Sequence, residues 1–265
     1  KIKFFLKEIY KISTLGEFIL IDRLKKTNKF NTIIINWARK SDFKKNGSYV
    51  DKHFGVNSNR NKKIIWFLVY LGKDVPKKID ENIVILKNID NKYKFNLIII
   101  FKNIIKKVIK KKNFLKHLYY EFSYFSILAN VVHKKITKYL NKNLKKVLIP
   151  YEGQPFQNSI FKKVKDFNKN IITIGFVHSF PVGLPTNFII RDGAPEKLIL
   201  SSESQAYCFS KYLGWPRKRL NILPSTRLKR KSNYSMKKKM FLPINFNSEK
   251  KIIANLNELF SFLKF

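Results

Sequence analysis

Apolar residues gather in short blocks along the chain, separated by polar turns and by stretches of helical period. The blocks at 32–37, 64–71, 83–86, 95–101, 147–151, 171–177, 198–201, 220–223 and 241–245 are rich in Ile, Val, Leu and Phe. Most are continuous rather than alternating, which is the signature of strands covered on both faces. Strands and helices in alternation imply a parallel sheet with helices on both sides. The pattern predicts an α/β fold.

Two helices can be read closely. Ser202 and Gln205 have the spacing of a capping box, Ala206, Phe209 and Leu213 share a face, and Gly214 stands where a left-handed cap belongs. Near the end, Ser248 is an N-cap candidate, and Ile252, Ile253, Leu256, Leu259, Phe260 and Leu263 form one apolar stripe that needs a sheet to cover. Only one strand, 241–245, precedes that helix, and a lone strand and helix cannot bury both faces. The expected organisation is a domain at 1–228, a basic linker at 229–239, and the first strand and helix of a truncated second α/β domain at 240–265. The alternative is a C-terminal helix that crosses back onto the first domain.

Lys and Arg number 55 against 17 Asp and Glu, a net charge of +38 over 265 residues. Only eight of the basic residues are arginine, the side chain whose planar fork reads guanine and phosphate. The richness in Asn, Ile and Phe, residues with AT-rich codons, offers a base-composition origin for much of the lysine. No RRM, KH or zinc-finger pattern occurs, so no nucleic-acid partner is expected and a basic nucleic-acid-binding module is carried only as an alternative. At 45% hydrophobic residues the chain can build a core, which excludes a wholly disordered polyelectrolyte.

The single cysteine, Cys208, excludes an intramolecular disulfide and a Cys-cluster metal site, and it fits a reducing compartment. No apolar run approaches the roughly 18 to 20 residues that span a bilayer. The stretch 94–116 mixes Ile, Leu and Phe with many lysines, and its helical part offers a basic amphipathic surface to anionic lipid headgroups. A cytoplasmic location is expected, with peripheral contact at the inner face of the cytoplasmic membrane. The chain opens on Lys1 rather than methionine and carries no signal-peptide pattern, so it is expected to be a fragment.

Open parallel sheets bind ligands outside the carboxyl ends of their strands. That rule selects SDFKKNGSYVDKHF (41–54), YEGQPFQ (151–157), HSFPVGLP (178–185) and PSTR (224–227). Glu152 follows a strand directly and sits beside Gln154 and the turn-former Gly153, where a carboxylate can take a proton from a hydroxyl. The same acid can also favour the dipole of the helix that follows. His178 ends another strand, is followed by Ser179 and a Pro/Gly loop, and is the best placed of the four histidines for catalysis or phosphate contact. Arg227 with Ser225 and Thr226 makes a cationic, hydroxyl-rich loop suited to phosphate or sugar. No G-x-G-x-x-G or P-loop pattern occurs, and no His/Asp/Glu spacing resembles a metal site.

YEGQPFQ followed, after one helix, by IGFVHS (174–179) resembles the YE-x-Q … iG-x-x-Hs pattern of bacterial surface-carbohydrate biosynthesis proteins, of capsule and lipopolysaccharide type, with a GT-B-like architecture. The stretch PEKLILSSESQAYCFSKYLGWPRKRLNILPSTR (195–227) is similar to their next segment, and FLPINFNSEKKIIANL (241–256) looks like the start of their donor-binding domain. The resemblance covers mainly residues 148–256. It implies a Rossmann-like, acceptor-side N-terminal domain of a glycosyltransferase that moves a sugar from a nucleotide-activated donor to a glycan or lipid-linked acceptor. Glu152 or His178 would be the catalytic base, and Tyr151, Gln154, Ser179, Ser225 and Arg227 would bind substrate. No cofactor beyond the donor and no metal is implied, and transfer of glycerol or polyol phosphate is the alternative on the same fold. Because nearly all of the donor domain is missing after Phe265, the chain is expected to be inactive alone.

Overall fold

Ile64–Tyr70 reads IIWFLVY, and every side chain in it but the first is buried. Such a run is stable only at the centre of a sheet with both faces covered. In the computed structural model, which describes residues 7, 8, 10, 17–24, 30–89, 102, 105, 123–178 and 186–223, that is where it lies. The strands are β1 (Glu17–Asp22), β2 (Thr32–Ala38), β3 (Ile64–Tyr70), β4 (Ile83–Ile89), β5 (Lys146–Pro150), β6 (Ile172–Phe176), β7 (Lys197–Leu200) and β8 (Leu220–Ile222). They form one sheet in the order β1-β4-β3-β2-β5-β6-β7-β8. All neighbours from β4 through β8 run parallel, and β1 alone pairs antiparallel, on β4.

The helices are α1 (Tyr124–Ile136), α2 (Pro155–Phe167) and α3 (Glu203–Tyr212). Ser123 caps α1 by accepting from the Ser126 amide, and Ser202 caps α3 by accepting from the Gln205 amide. Only half of the expected capping box forms at α3. The Gln205 carboxamide oxygen accepts from the Ser201 amide and hydroxyl instead. Gly214 takes the left-handed cap at φ +76°.

Alternate residues of the central strands feed two cores. Ile33, Ile35, Phe67, Val84 and Leu86 pack with Leu128, Val132, Ile160 and Phe161 of the helices. Ile34, Trp66, Leu68 and Ile85 point the other way, onto Tyr49, Phe43, Phe54 and Ile79. Among the described residues this second face of β2, β3 and β4 is covered by loop aromatics rather than by a helix. Each fully buried side chain of that size contributes about 1.5 to 3 kcal/mol, so the loop between β2 and β3 is tied to the sheet by packing as well as by hydrogen bonds.

The structure is the mixed α/β, mostly parallel, Rossmann-like sheet that the pattern predicts. It differs at one edge. Glu17–Asp22 is a further strand, whose apolar block Phe18–Ile21 is as long as that at 83–86 and whose half-exposed residues pair with β4 from Glu17↔Ile89 to Asp22↔Val84. The same pairing carries β4 on to Ile89, three residues past the apolar run. The expected strands at 95–101 and 241–245, the helix after Ser248, and nearly all of the basic stretch 94–116 lie outside the described residues. The chain divides into two compact units, Lys1–Arg227 and Leu228–Phe265, and the second lies wholly outside the described residues. No described helix is long and apolar enough to cross a membrane.

Candidate functional site

The strand order reverses direction between β2 and β5. From β2 the chain builds outward through β3 to β4, and from β5 it builds the other way through β6, β7 and β8. Loops leaving the carboxyl ends of β2 and β5 therefore diverge and open a crevice. A cavity of about 280 Å³ occupies it, lined by Trp37, His53, Phe125, Pro150, Glu152, Gln154, Phe156, Gln157 and His178.

Glu152 and His178 meet because their strands are neighbours in register. Pro150 pairs with Phe176, so each residue lies two positions past the last rung. The His178 Nε2 is 3.6 Å from the Glu152 Oε1, with the imidazole largely buried and the carboxylate half exposed. The turn carrying Glu152 is held by main-chain bonds. Gln157 donates from Nε2 to the Pro150 carbonyl (2.7 Å) and accepts at Oε1 from the Glu152 amide (3.0 Å) and the Gln154 amide (3.1 Å). Gly153 sits at φ +69°, and a Cβ there would run into the Asn187 carbonyl. Asn187 in turn donates from Nδ2 to the Glu152 carbonyl. The backbone of Glu152 is thus pinned while its half-exposed carboxylate reaches His178 and the cavity.

The third chemical group comes from the loop after β2. The His53 ring packs edge-on against His178, with centroids 4.3 Å apart and planes at 66°. Its position is set by Asp51, which is 1% exposed. Asp51 accepts from the amides of His53 (2.8 Å) and Phe54, from the Tyr49 hydroxyl (3.0 Å), and from the Asn36 carboxamide on β2. Asn36 is itself held, since its Oδ1 accepts from the Trp37 amide at 2.8 Å. Burial nonetheless pushes the Asp51 carboxyl above its ordinary range, outweighing the hydrogen bonds that favour its charged form.

The expected site residues are thus only partly gathered. Glu152, His178 and Gln154 line the cavity. Tyr151 does not: its side chain is buried, its hydroxyl meets the Asn158 Oδ1 at 2.8 Å, and desolvation pushes its pKa up to about 12. Ser179, Ser225 and Arg227 lie outside the described residues. His53, Asp51 and the aromatic lining were not singled out from the sequence, although the strand-end rule had marked the stretch 41–54 that contains His53 and Asp51. Among the described residues no group of three or more His, Cys, Asp or Glu side chains is disposed to hold a metal ion.

Neither a family model nor a curated protein matches this sequence. Among solved structures the chain is similar to one titled "Structure of Candida albicans trehalose-6-phosphate phosphatase N-terminal domain", at 14% identity and a TM-score of 0.42. The match covers 77% of this chain and 50% of that one, so the chain spans half the length of that neighbour. These comparisons overturn the resemblance to GT-B-like surface-carbohydrate glycosyltransferases, for which no family or curated match exists. Sugar transfer to a surface polysaccharide, polyol-phosphate transfer and nucleic-acid binding are likewise without support and are set aside.

The residues that carried the resemblance show why short motifs misled. Tyr151 fills the core, Gly153 makes the turn, and Gln157 splints it. These are needs of a strand-to-helix turn in an α/β sheet rather than marks of one reaction.

Proposed function

We propose that this chain is an enzyme whose switch-point cavity performs general acid–base chemistry on a small polar substrate. The observation that carries the reading is the Glu152–His178 pair at 3.6 Å, backed by the His53 ring, at the mouth of the crevice that parallel sheets use for ligands. A substrate hydroxyl or a water in the cavity gives its proton to His178, and its oxygen is left as the stronger nucleophile. The Glu152 carboxylate stabilises the imidazolium that forms. Gln154, at the N-terminal end of α2, stands by to orient the substrate. The rigid turn around Gly153 and the Asp51 anchor hold both partners in place, as positioning of catalytic groups requires.

The test is to incubate the chain with a pool of small metabolites and follow their consumption by mass spectrometry. The wild type is expected to deplete a species that His178→Asn depletes about 10² to 10⁴ times more slowly, the usual weight of a positioned proton acceptor. Turnover that is unchanged in both His178→Asn and Glu152→Gln would remove the acid–base role.

A further inference from the structure

The cavity has a second kind of wall. Phe125, in the first turn of α1, lies nearly parallel to Phe156 with centroids 5.2 Å apart and planes at 14°. Phe156 in turn meets the Trp37 ring edge-on at 5.8 Å and 83°. The three rings come from α1, α2 and β2, and all three line the cavity that holds Glu152, His178 and His53. Phe156 is buried, whereas Phe125 leaves 48% of its surface open.

An exposed apolar side chain is ordinary on its own. This one is held in place by its packing and by the helix it stands on. Ser123 caps the start of α1, and the Glu8 Oε2 accepts from the neighbouring Tyr124 amide at 3.0 Å. A fixed aromatic stack beside hydrogen-bonding side chains recognises one shape well: a ring with an apolar face and a polar rim. At about 280 Å³ the cavity takes a single ring with its substituents rather than a polycyclic ligand.

From this we infer that the switch-point site binds a ring-shaped small molecule, its apolar face on Phe125 and its rim toward Gln154, Glu152 and His178. The inference rests on the acid–base reading of the same site, since the rim is where the reacting hydroxyl would be presented. Two kinds of compound share this chemistry, a heteroaromatic base and a pyranose, and both can be offered.

Saturation-transfer NMR with cytosine and, separately, methyl β-glucopyranoside tests it on the full chain. At least one probe should receive saturation, strongest at its ring protons, and which one does identifies the source. Phe125→Ala should weaken that binding about three- to tenfold, in keeping with the loss of one aromatic contact, and Phe125→Trp should retain it. Phe125 is half exposed, so the alanine variant should fold, which its circular dichroism would check. No saturation of either probe at millimolar concentration, or equal binding by Phe125→Ala, overturns the inference. His178→Asn separates the two readings: ring binding that persists while turnover stays unaffected would sink the acid–base role alone, and lost turnover without any ring binding would sink the ring alone.

Discussion

Two clefts lie toward opposite ends of the sheet, and the larger is the less site-like. At the amino ends of β6 and β7 a cleft of about 680 Å³ is lined by Lys162, Lys165, Asp192, Glu196, Lys218 and Arg219 among others. Several of its charges pair directly with one another at the exposed surface. Lys162 pairs with Asp192, and Lys165 with Glu196 at 2.5 Å. Arg219 donates to the carbonyls of Pro195 (2.5 Å) and Glu196 (3.0 Å) and lies over the Trp215 ring. The cleft at the carboxyl ends is less than half that volume. Yet its polar groups hang from buried anchors, with Asp51 beneath His53 and Gln157 beneath Glu152. Exposed pairs hold their geometry weakly because water competes for them, whereas a buried network fixes the groups it carries. Volume and charge density are poor guides to a site when the charges are already spent on each other.

The contrast is broken most sharply at Asp51. Asp51→Ala would leave the Asn36 amide, the Tyr49 hydroxyl and two backbone amides without their acceptor in the core. The expected cost is on the order of 3 kcal/mol, read as a lower midpoint in urea unfolding. A midpoint equal to that of the wild type would show that the loop after β2 does not depend on this anchor. The pH dependence sharpens the point. Burial raises the folded-state pKa of Asp51 above its unfolded value, so across that interval the folded chain keeps a proton the unfolded chain has released. Stability from this group is therefore full below the unfolded value and declines as pH rises through the folded one. Asp51→Asn, which cannot ionise, should lack that decline, and parallel profiles for the two chains would contradict the assignment.

A smaller effect is expected at high pH. Burial pushes Tyr151 up to about 12, and it pushes Tyr49 and Tyr139 up as well. Each phenol ionises earlier in the unfolded chain than in the folded one, so stability is full below the ordinary phenol range and falls as pH rises through the folded values. Phenolate absorbance should show these three appearing together with loss of the fold. Ionisation of all tyrosines in a single ordinary step, with the fold intact, would contradict their burial. The smallest effect belongs to the other cleft. Lys162→Met removes an exposed partner of Asp192, and no measurable change in urea midpoint is expected. A clear loss there would erase the distinction between the two ends.

Much of this architecture was legible in local pattern. The continuous apolar blocks at 32–37, 64–71 and 147–151 became β2, β3 and β5 to within a residue or two, because a strand buried on both faces has no polar position to spare. Ser202 and Gly214 were legible as helix ends because capping is a local transaction between a side chain and the nearest free amides or carbonyls. Glu152 and His178 were each marked as strand-end residues. β1 was passed over although Phe18–Ile21 is as apolar as the 83–86 run; what the pattern did not hold is its place at the antiparallel edge, which pairing with β4 decides.

The sequence by itself determined the α/β class, the central strands, the helix caps and two of the three titratable groups that face the switch-point cavity. Each depends on neighbours within a few positions along the chain. Tertiary structure alone decided that Glu152 and His178 share a rung-for-rung register, that Asp51 reaches across to Asn36 and hangs His53 against them, and that Phe125, Phe156 and Trp37 close into one wall. Those contacts join residues far apart in sequence, and their geometry comes from strand order and packing, which no short motif encodes.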